Sequence, residues 1–461
     1  MKSALKNFLI VGGNEFIRDI QVMVPQLARR VDSACSLREL SRRLRKEDLD
    51  IILVDVDAYR RSHSNLRRLV KSLRNCGKDF IFVSGRKSLS AIIEARDAGA
   101  VDYLIKPYNY REFVVRLNAI LQSKIRIACI GGGTGLFNLL VSLKELPNVL
   151  LTSIVNTSDD GGSSGELKVS FGILPPGDIR RSLVALSNAP EVMNQVMQYR
   201  FKDTSSLGGH TVGNLLLAAL THIKGSMSEA VRNLGDILNI QGIVVPIAQT
   251  RATLCALFED GTVIRGESNI DLGVGRNIRL PIKRCWHDPA PSADMNACAA
   301  IIFSDIVTIG PGDLFTSVIT SIMIAKIRDA LAKTHAKKIY LCNLMTEPGE
   351  TTGFSALQHS REIIRYLGGD HVDYILIADP ATLSKKSLKK YARKKQAPVA
   401  LGDLRELRTV SKAQLLIADL AHETQLIRHH SQKLRRAVSS IIRAAYPTRS
   451  IDTLGGANPR P

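Results

Sequence analysis

The sequence predicts an α/β protein made of two consecutive units, each built on a parallel sheet. Apolar strand-like segments alternate with helical segments through residues 7–121. A new strand, KIRIACI, begins at Lys124 and starts a second alternating series. Strands that alternate with helices favour a parallel sheet with helices on both faces. A chain of 461 residues is also long enough for about two or three domains.

The elements can be read in order along the chain. In residues 1–121 the strands are NFLIV, DIILVD, DFIFVS and VDYLIKP, and the clearest helices are SLRELSRRLRK and YREFVVRLNAIL. The second domain, residues 124–445, ends in a basic helix candidate (SLKKYARKKQ), a strand candidate (QLLIADL) and an amphipathic segment (QKLRRAVSSIIRAAY). Residues 446–461 show no periodicity, and we expect a disordered tail there.

Composition limits the class of protein. No apolar run approaches the roughly 18 residues of a membrane helix, and the N-terminal segment is too soon interrupted for a signal peptide. Seven scattered cysteines without a CxxC pair indicate reduced thiols, and hence a cytoplasmic location. The net charge of +20 lies in the two flanks of a near-neutral middle. Because aromatic residues are sparse, a solvated basic surface is favoured over nucleic-acid binding, which stays open as a hypothesis.

A glycine-rich turn follows the first strand of the second domain and precedes the helical pattern LFNLLVSLKEL. The turn consists of Gly131, Gly132, Gly133, Thr134 and Gly135. Backbone N–H groups at such a helix start attract anions, although a turn that only packs tightly is an alternative. Leu136 occupies the third glycine position of the dinucleotide fingerprint, so no dinucleotide cofactor is predicted.

An acidic loop, NTSDDGGSSG, follows the next strand. Its candidate ligand-binding residues are Asp159, Asp160, Gly161, Gly162, Ser163 and Ser164. Adjacent carboxylates can hold a Mg²⁺ ion that also contacts phosphate oxygens, or can orient a sugar hydroxyl. The structural alternative is an acidic turn with its own hydrogen bonds.

Further polar or glycine-rich turns also fall at strand ends or helix starts. Their candidate residues are Gly177, Asp178, Arg180, His210, Gly213, Asn214, Gly310, Gly312 and Asn343. We expect Asp178 to cap a helix and Arg180 to reach a phosphate. Ligands of open α/β sheets bind at the carboxyl ends of strands, so these turns together predict one binding site.

Residues 1–121 resemble the receiver domain of bacterial response regulators, which has a flavodoxin-like fold. Asp55 stands at the phosphoacceptor position, and Ser84 and Lys106 match the other two family positions. Gly12 and Gly13 replace the acidic pair that holds Mg²⁺ in the family. Phosphoryl transfer depends on that ion. We therefore interpret the domain as a degenerate receiver that contacts a protein partner, with an active phosphorylation switch as the alternative.

Seven motifs of the second domain follow one another in the order found in the gluconeogenesis factor family, relatives of 2-phospho-L-lactate transferase. They are IGGGTGL, DDGGSSG, PPGDIR, GHTVGNLLLAAL, DGTVIRGES, IGPGDLFTS and NLMTEPGETTGFS. The resemblance implies a Rossmann-like core that binds a nucleotide sugar of the UDP class. It also implies a cytoplasmic role linking carbon metabolism to cell shape and envelope synthesis. By the same match, Asp159 and Asp160 would hold the Mg²⁺ of the transferase relatives.

Two functional readings remain open at this stage. The first is a regulatory protein that binds a nucleotide sugar without turnover, with a homo-oligomer allowed. The second is a Mg²⁺-dependent transferase acting on a nucleoside-diphosphate-linked substrate. No nucleophile, general base or acceptor pocket is evident in the sequence, and aromatic residues make up only 5% of the chain, so the regulatory reading is preferred. Catalytic residues are therefore not assigned.

Overall fold

The computed structural model describes residues 6–44, 48–62, 66–202, 205–273, 280–423, 426–449 and 451. These residues form two compact units. The first comprises the described part of residues 1–122 together with Cys298–Phe303, and the second comprises the described remainder. Among the described residues, no helix combines the length and the apolar character that crossing a membrane requires.

The first unit is built on a five-stranded parallel sheet of the order β2-β1-β3-β4-β5. Its strands are β1 (Lys6–Val11), β2 (Ala28–Ala34), β3 (Ile51–Asp55), β4 (Asp79–Ser84) and β5 (Asp102–Ile105). This order is that of flavodoxin-like folds, so the predicted fold class is confirmed. The prediction missed β2, because this edge strand, ARRVDSA, is largely polar and only partly buried.

Helices flank this sheet. They are α1 (Asn14–Met23), α2 (Leu37–Arg43), α3 (Val56–Ser62), α4 (Leu66–Asn75), α5 (Leu89–Asp97) and α6 (Tyr110–Leu121). Helix α6 has the bounds that the sequence predicts, and it begins there because Asn109 accepts the Glu112 N–H at 2.7 Å. Its residues Phe113 and Leu117 pack in the core against the strands.

The second unit contains a seven-stranded parallel sheet of the order β15-β14-β13-β12-β6-β7-β8, so the predicted larger parallel-sheet domain is confirmed. The strands of this unit are β6 (Ile125–Gly131), β7 (Val149–Val155), β8 (Ile243–Pro246), β9 (Thr253–Phe258), β10 (Val263–Arg265), β11 (Ile282–Asp288), β12 (Ile306–Ile309), β13 (Lys337–Leu341), β14 (Tyr374–Ala378), β15 (Gln414–Ala418), β16 (Ala421–Glu423) and β17 (Ile427–His429). Strands β9 to β11 form a small antiparallel sheet, and β16 pairs with β17. Between β6 and β12 the chain order reverses direction, which is where open sheets bind ligands.

Further helices follow in chain order. They are α7 (Gly133–Lys144), α8 (Gly162–Ser170), α9 (Gly177–Leu186), α10 (Glu191–Gln198), α11 (Val212–Lys224), α12 (Met227–Ile237), α13 (Glu267–Leu272), α14 (Met295–Phe303), α15 (Thr320–Ile322), α16 (Ala325–Lys333), α17 (Ala356–Leu367), α18 (Lys385–Ala392), α19 (Leu404–Val410) and α20 (Ser431–Ala445). A π-helix spans Leu314–Ile319 and a 3₁₀-helix spans Pro380–Thr382. A buried apolar cluster joins β6, α7, α9, α12 and α20.

The start of the predicted disordered tail is ordered, so that prediction is wrong for residues 446–449 and 451. Tyr446 Oη donates to the Asp305 carbonyl oxygen at 2.6 Å, and Arg449 lies 2.7 Å from the Asp305 carboxylate. Ile451 is buried. The periodicity of the sequence could not predict these contacts, because their partner, Asp305, is distant in sequence. Residues 450 and 452–461 lie outside the described residues.

Candidate functional site

A cavity of about 610 Å³ lies in the second unit, at the carboxyl ends of neighbouring strands. It is lined by the turn after β6, by Asp159 after β7, by Gly312 after β12 and by Asn343 after β13. Parallel strands place the segments that follow them at one edge of a sheet. The cavity volume falls in the range of small-molecule sites.

The structure divides the predicted site residues into two sets. Those that line the cavity are Gly132, Gly133, Thr134, Gly135, Asp159, Gly161, Asp178, Gly312 and Asn343. Those that do not line it are Gly131, Asp160, Gly162, Ser163, Ser164, Gly177, Arg180, His210, Gly213, Asn214 and Gly310.

Two glycine-rich turns approach each other closely at the cavity. A Cβ atom added to Gly135 would lie 2.7 Å from the carbonyl carbon of Pro311, so only glycine fits there. Gly133 begins α7 with φ of 60°, a left-handed conformation that side chains rarely adopt. The helix thus begins three residues earlier than the LFNLLVSLKEL pattern predicts, and its first turn faces the cavity.

The two adjacent carboxylates of the acidic loop have different environments. Asp159 lines the cavity, and its Oδ1 accepts the Gly161 N–H at 3.0 Å. Asp160 accepts the N–H groups of Glu267 and Ser268 at 3.1 and 2.8 Å. Asp160 therefore anchors the start of α13, where the helix has no side-chain cap from its own N-cap Gly266. The two adjacent residues therefore have different roles, since Asp159 faces the cavity and Asp160 holds the start of α13.

Asp178 faces the cavity and does not cap its own helix, α9, so the predicted cap is wrong. Helix α9 begins at Gly177 after Pro176 at the N-cap, which places Asp178 inside the first turn. Its Oδ2 instead accepts the Gly133 N–H at 2.7 Å and ties α9 to the glycine turn. Burial, and then the nearby Asp159 carboxylate, raise the pKa of Asp178 to about 6.

Further carboxylates make the cavity wall strongly acidic. Burial and the Asp159 charge raise the pKa of Glu267 well above its usual value. Burial and Asp313 raise the pKa of Glu347 to about 7 and that of Asp271 to about 6. Like charges that repel one another in a cavity favour a bound cation. Within the described ranges, however, no three Asp, Glu, His or Cys side chains are grouped as a ready metal site.

The C-terminal part of the chain completes the cavity with residues that the sequence reasoning missed. Tyr391 and Lys394 come from α18 and the turn after it, and Arg428 and His429 come from β17. The basic run SLKKYARKKQ marked a helix, but nothing in its spacing indicated that it approaches the glycine turns. These contacts depend on tertiary structure.

Two polar atoms of the cavity wall have no hydrogen-bond partner among the described residues. They are Oδ1 of Asn343 and Nε2 of His429, and both atoms are shielded from solvent. Burial lowers the pKa of His429 to about 4, so its imidazole is neutral at pH 7. Buried polar atoms in native proteins are normally paired, so partners supplied by a ligand would satisfy both.

Four predicted residues outside the cavity form a connected cluster. Arg180 Nε donates to Asn214 Oδ1 at 3.0 Å, and Asn214 Nδ2 donates to Ser163 Oγ at 3.0 Å. Ser163 Oγ lies 2.9 Å from His210 Nδ1, and His210 Nε2 lies 3.3 Å from the Glu166 carboxylate. The cluster joins the starts of α8 and α11 to α9.

Asp55, at the phosphoacceptor position of the first unit, makes several internal contacts and lines a cavity of about 550 Å³. Asp55 is buried, and its carboxylate accepts the N–H groups of Asp57 and Ala58 and an ion pair from Lys106 at 2.9 Å. A Cβ atom added to Gly12 would lie 2.7 Å from the Phe16 ring. The Phe16 side chain therefore leaves no room for an acidic residue at Gly12.

Comparisons with known proteins match the second unit. The model of the family "2-phospho-L-lactate transferase CofD" matches residues 127–420. The gluconeogenesis factors of Bacillus subtilis and Halalkalibacterium halodurans are 36% and 37% identical, over 70% and 69% of this chain and 100% and 96% of their own. A crystal structure of a UPF0052 family member from Bacillus halodurans has a TM-score of 0.64 and 36% identity, covering 68% of this chain and 99% of that one. The chain therefore belongs to the family of the gluconeogenesis factors and 2-phospho-L-lactate transferases.

Proposed function

We propose that this chain is a regulatory protein of the gluconeogenesis factor type that binds a nucleotide sugar of the UDP class. The observation that carries the proposal is the cavity at the strand ends, which two glycine-rich turns and the C-terminal segment enclose. In this proposal the bound metabolite reports on carbon metabolism, and the protein passes that signal to cell-envelope synthesis and cell shape.

The wall of the cavity contains groups suited to each part of such a ligand. The first turn of α7 presents backbone N–H groups to a diphosphate, and Arg181, Lys394 and Arg428 supply positive charge. Asn343 Oδ1 and His429 Nε2 lack partners among the described residues; Oδ1 can accept a hydrogen bond from a base or a sugar, and Nε2 of the neutral imidazole can accept or donate one according to its tautomer.

A Mg²⁺ ion fits this cavity as a bridge between protein and ligand. After burial, the Asp159 charge is the next cause that raises the pKa values of Asp178 and Glu267, and a cation would relieve that repulsion. Magnesium in nucleotide sites uses one or two carboxylates and completes its shell with phosphate oxygens and water. We therefore propose that Asp159 holds the ion only when the diphosphate is present. Asp160 contributes indirectly in this proposal, by stabilising the start of α13.

The alternative is a Mg²⁺-dependent transferase acting on a nucleoside-diphosphate-linked substrate. A specific observation favours it, because Glu347 and Asp178 line the cavity with pKa values of about 7 and about 6, the range of a general base. Against it, Tyr391 is the single Phe, Tyr or Trp side chain among the described residues of the cavity wall, and a planar acceptor would need a stacking surface.

Calorimetric titration with UDP-N-acetylglucosamine, with and without Mg²⁺ and with GTP as comparison, tests the proposal. We expect Mg²⁺-dependent binding of the UDP-sugar, with the ligand recovered intact by chromatography after prolonged incubation. Conversion of the UDP-sugar, or binding of GTP in its place, would favour the transferase. Absence of binding by either nucleotide would contradict both.

We further propose that the first unit contacts a protein partner and does not act as a phosphorylation switch. The internal contacts of Asp55 and the packing of Phe16 against Gly12 support this proposal. Affinity capture with residues 1–122 deleted is its test. The full chain should retain a specific partner that the truncated chain loses.

A further inference from the structure

Helix α18 and the residue that follows it present five cations on one side. All five residues are exposed. They are Lys385, Lys386, Lys389, Lys390 and Arg393. An α-helix turns by about 100° per residue, so these positions fall within an arc of about 140°. The other side of the helix carries Leu388, which is half-buried, and Tyr391, which is buried. We call the five cations the basic face of α18.

Little negative charge within the chain compensates the basic face of α18. Residues 380–402 contain no aspartate or glutamate. Among the described residues, no ion pair within 4 Å joins Lys385, Lys386 or Lys389 to a carboxylate. Glu423 contacts the start of the helix, but it accepts its hydrogen bonds there from serine hydroxyls and a backbone N–H. Like charges spaced four residues apart, as Lys385 and Lys389 are, repel one another. An anionic surface from outside the chain would relieve that repulsion.

The residue types of the basic face distinguish between the anionic partners that could bind it. Four of the five cations are lysines, and Tyr391, the one aromatic residue of the segment 385–395, is buried. Proteins read nucleic-acid bases largely with arginine forks and, in single strands, with stacked aromatic side chains. Clusters of about four to eight Lys or Arg residues on a helix are instead typical of segments that bind anionic lipid headgroups. The composition therefore favours a lipid surface.

We propose that the basic face of α18 docks the protein reversibly on an anionic phospholipid membrane. No large apolar side chain is exposed in residues 385–395, all of which the structure describes. The helix therefore has nothing to insert between acyl chains, and its attraction to the headgroups is electrostatic. Such an attraction is screened by salt, so the membrane-bound fraction falls as the ionic strength rises.

The segment that carries the basic face also belongs to the cavity wall. Tyr391, on the other side of α18, lines the cavity, and its Oη accepts the Ile427 N–H at 2.6 Å. Ile427 begins β17, which brings Arg428 to the same cavity. A membrane that binds α18 therefore holds an element that fixes one wall of the cavity. The docking itself does not depend on which ligand the cavity takes.

Co-sedimentation of the full chain with phospholipid vesicles tests the proposal. Vesicles of phosphatidylcholine alone are compared with vesicles of phosphatidylcholine and phosphatidylglycerol in equal amounts, at low and at physiological ionic strength. We expect binding to the mixed vesicles only, and weaker binding when salt is added. The triple variant Lys385→Gln, Lys386→Gln, Lys389→Gln should lower the affinity for mixed vesicles by roughly a hundredfold, because each lysine near an anionic surface contributes about fivefold.

A matched control separates the basic face from the overall charge of the protein. The triple variant Lys71→Gln, Lys87→Gln, Lys224→Gln removes three charges from exposed positions elsewhere, and it should bind nearly as tightly as the wild type. Absence of wild-type binding to mixed vesicles, equal binding to neutral vesicles, or equal losses in the two triple variants would overturn the proposal. Tighter binding of duplex RNA than of mixed vesicles, lost in the α18 variant, would make the surface a nucleic-acid site and refute the lipid assignment.

Discussion

The substitution Asp178→Asn should stabilise the ligand-free protein at alkaline pH. Asp178 is buried beside Asp159, and its carboxylate is held by the Gly133 N–H. An asparagine side chain keeps an oxygen acceptor for that N–H but carries no charge. The substitution therefore removes the repulsion and the cost of burying the charge, while it leaves the link between α9 and the glycine turn.

The magnitude follows from the pKa of about 6 in the folded chain against an ordinary value of 3.8. A raised pKa means that the folded state holds the proton more tightly than the unfolded state does. The contribution of the protonated Asp178 to the free energy of unfolding is therefore complete below about pH 4 and is lost as the pH rises through 6. The complete loss is about 3 kcal/mol. Roughly half of it, about 1.4 kcal/mol, develops between pH 5 and pH 8.

Thermal unfolding in EDTA at pH 5, 6, 7 and 8 measures this difference. The unfolding temperature of Asp178→Asn should exceed that of the wild type, and the gap should widen with pH. Asp329→Asn makes the same chemical change at an exposed position of α16 and should show no such trend. A gap that is constant with pH, or a less stable Asp178→Asn at pH 8, would refute the reasoning.

Three further predictions concern other parts of the molecule. Asp159→Asn should abolish the Mg²⁺ dependence of UDP-N-acetylglucosamine binding. Asp160→Asn should keep that dependence and lower the free energy of unfolding by about 1–3 kcal/mol, because the Glu267 and Ser268 N–H groups lose a charged acceptor. Identical calorimetric profiles of the two variants would disprove the division of roles. Gly135→Ala should destabilise by about 2 kcal/mol in urea unfolding, since overpacking against the Pro311 backbone outweighs the gain in helix propensity. The control Gly235→Ala should be near neutral, because its new Cβ atom would meet side-chain ends of Ile240 and Leu183 and no backbone. Acetyl phosphate with Mg²⁺ should leave the intact mass of the protein unchanged, and stoichiometric phosphorylation of Asp55 would support the active phosphorylation switch instead.

The parts of the fold and site that the sequence predicts are those whose signal is local. The alternation of apolar strands and helices, and glycine turns at strand ends, are read directly from neighbouring residues. Asp159 and Asp160 could not be distinguished, because what separates them is the α13 start, about a hundred residues away in sequence. Strand β2 was missed because an edge position tolerates its polar residues. Arg428 entered the site only through tertiary packing.

The completion of the cavity by β17 has a consequence for biogenesis. The glycine turns and the acidic loop precede Arg428 and His429 in the chain, so these two residues leave the ribosome long after them. Strand β15, at the edge of the seven-stranded sheet, also follows them. A nascent chain that has not reached β17 therefore has an incomplete cavity wall. Under the proposed function, such a chain gains no stability from the ligand until β17 has been made.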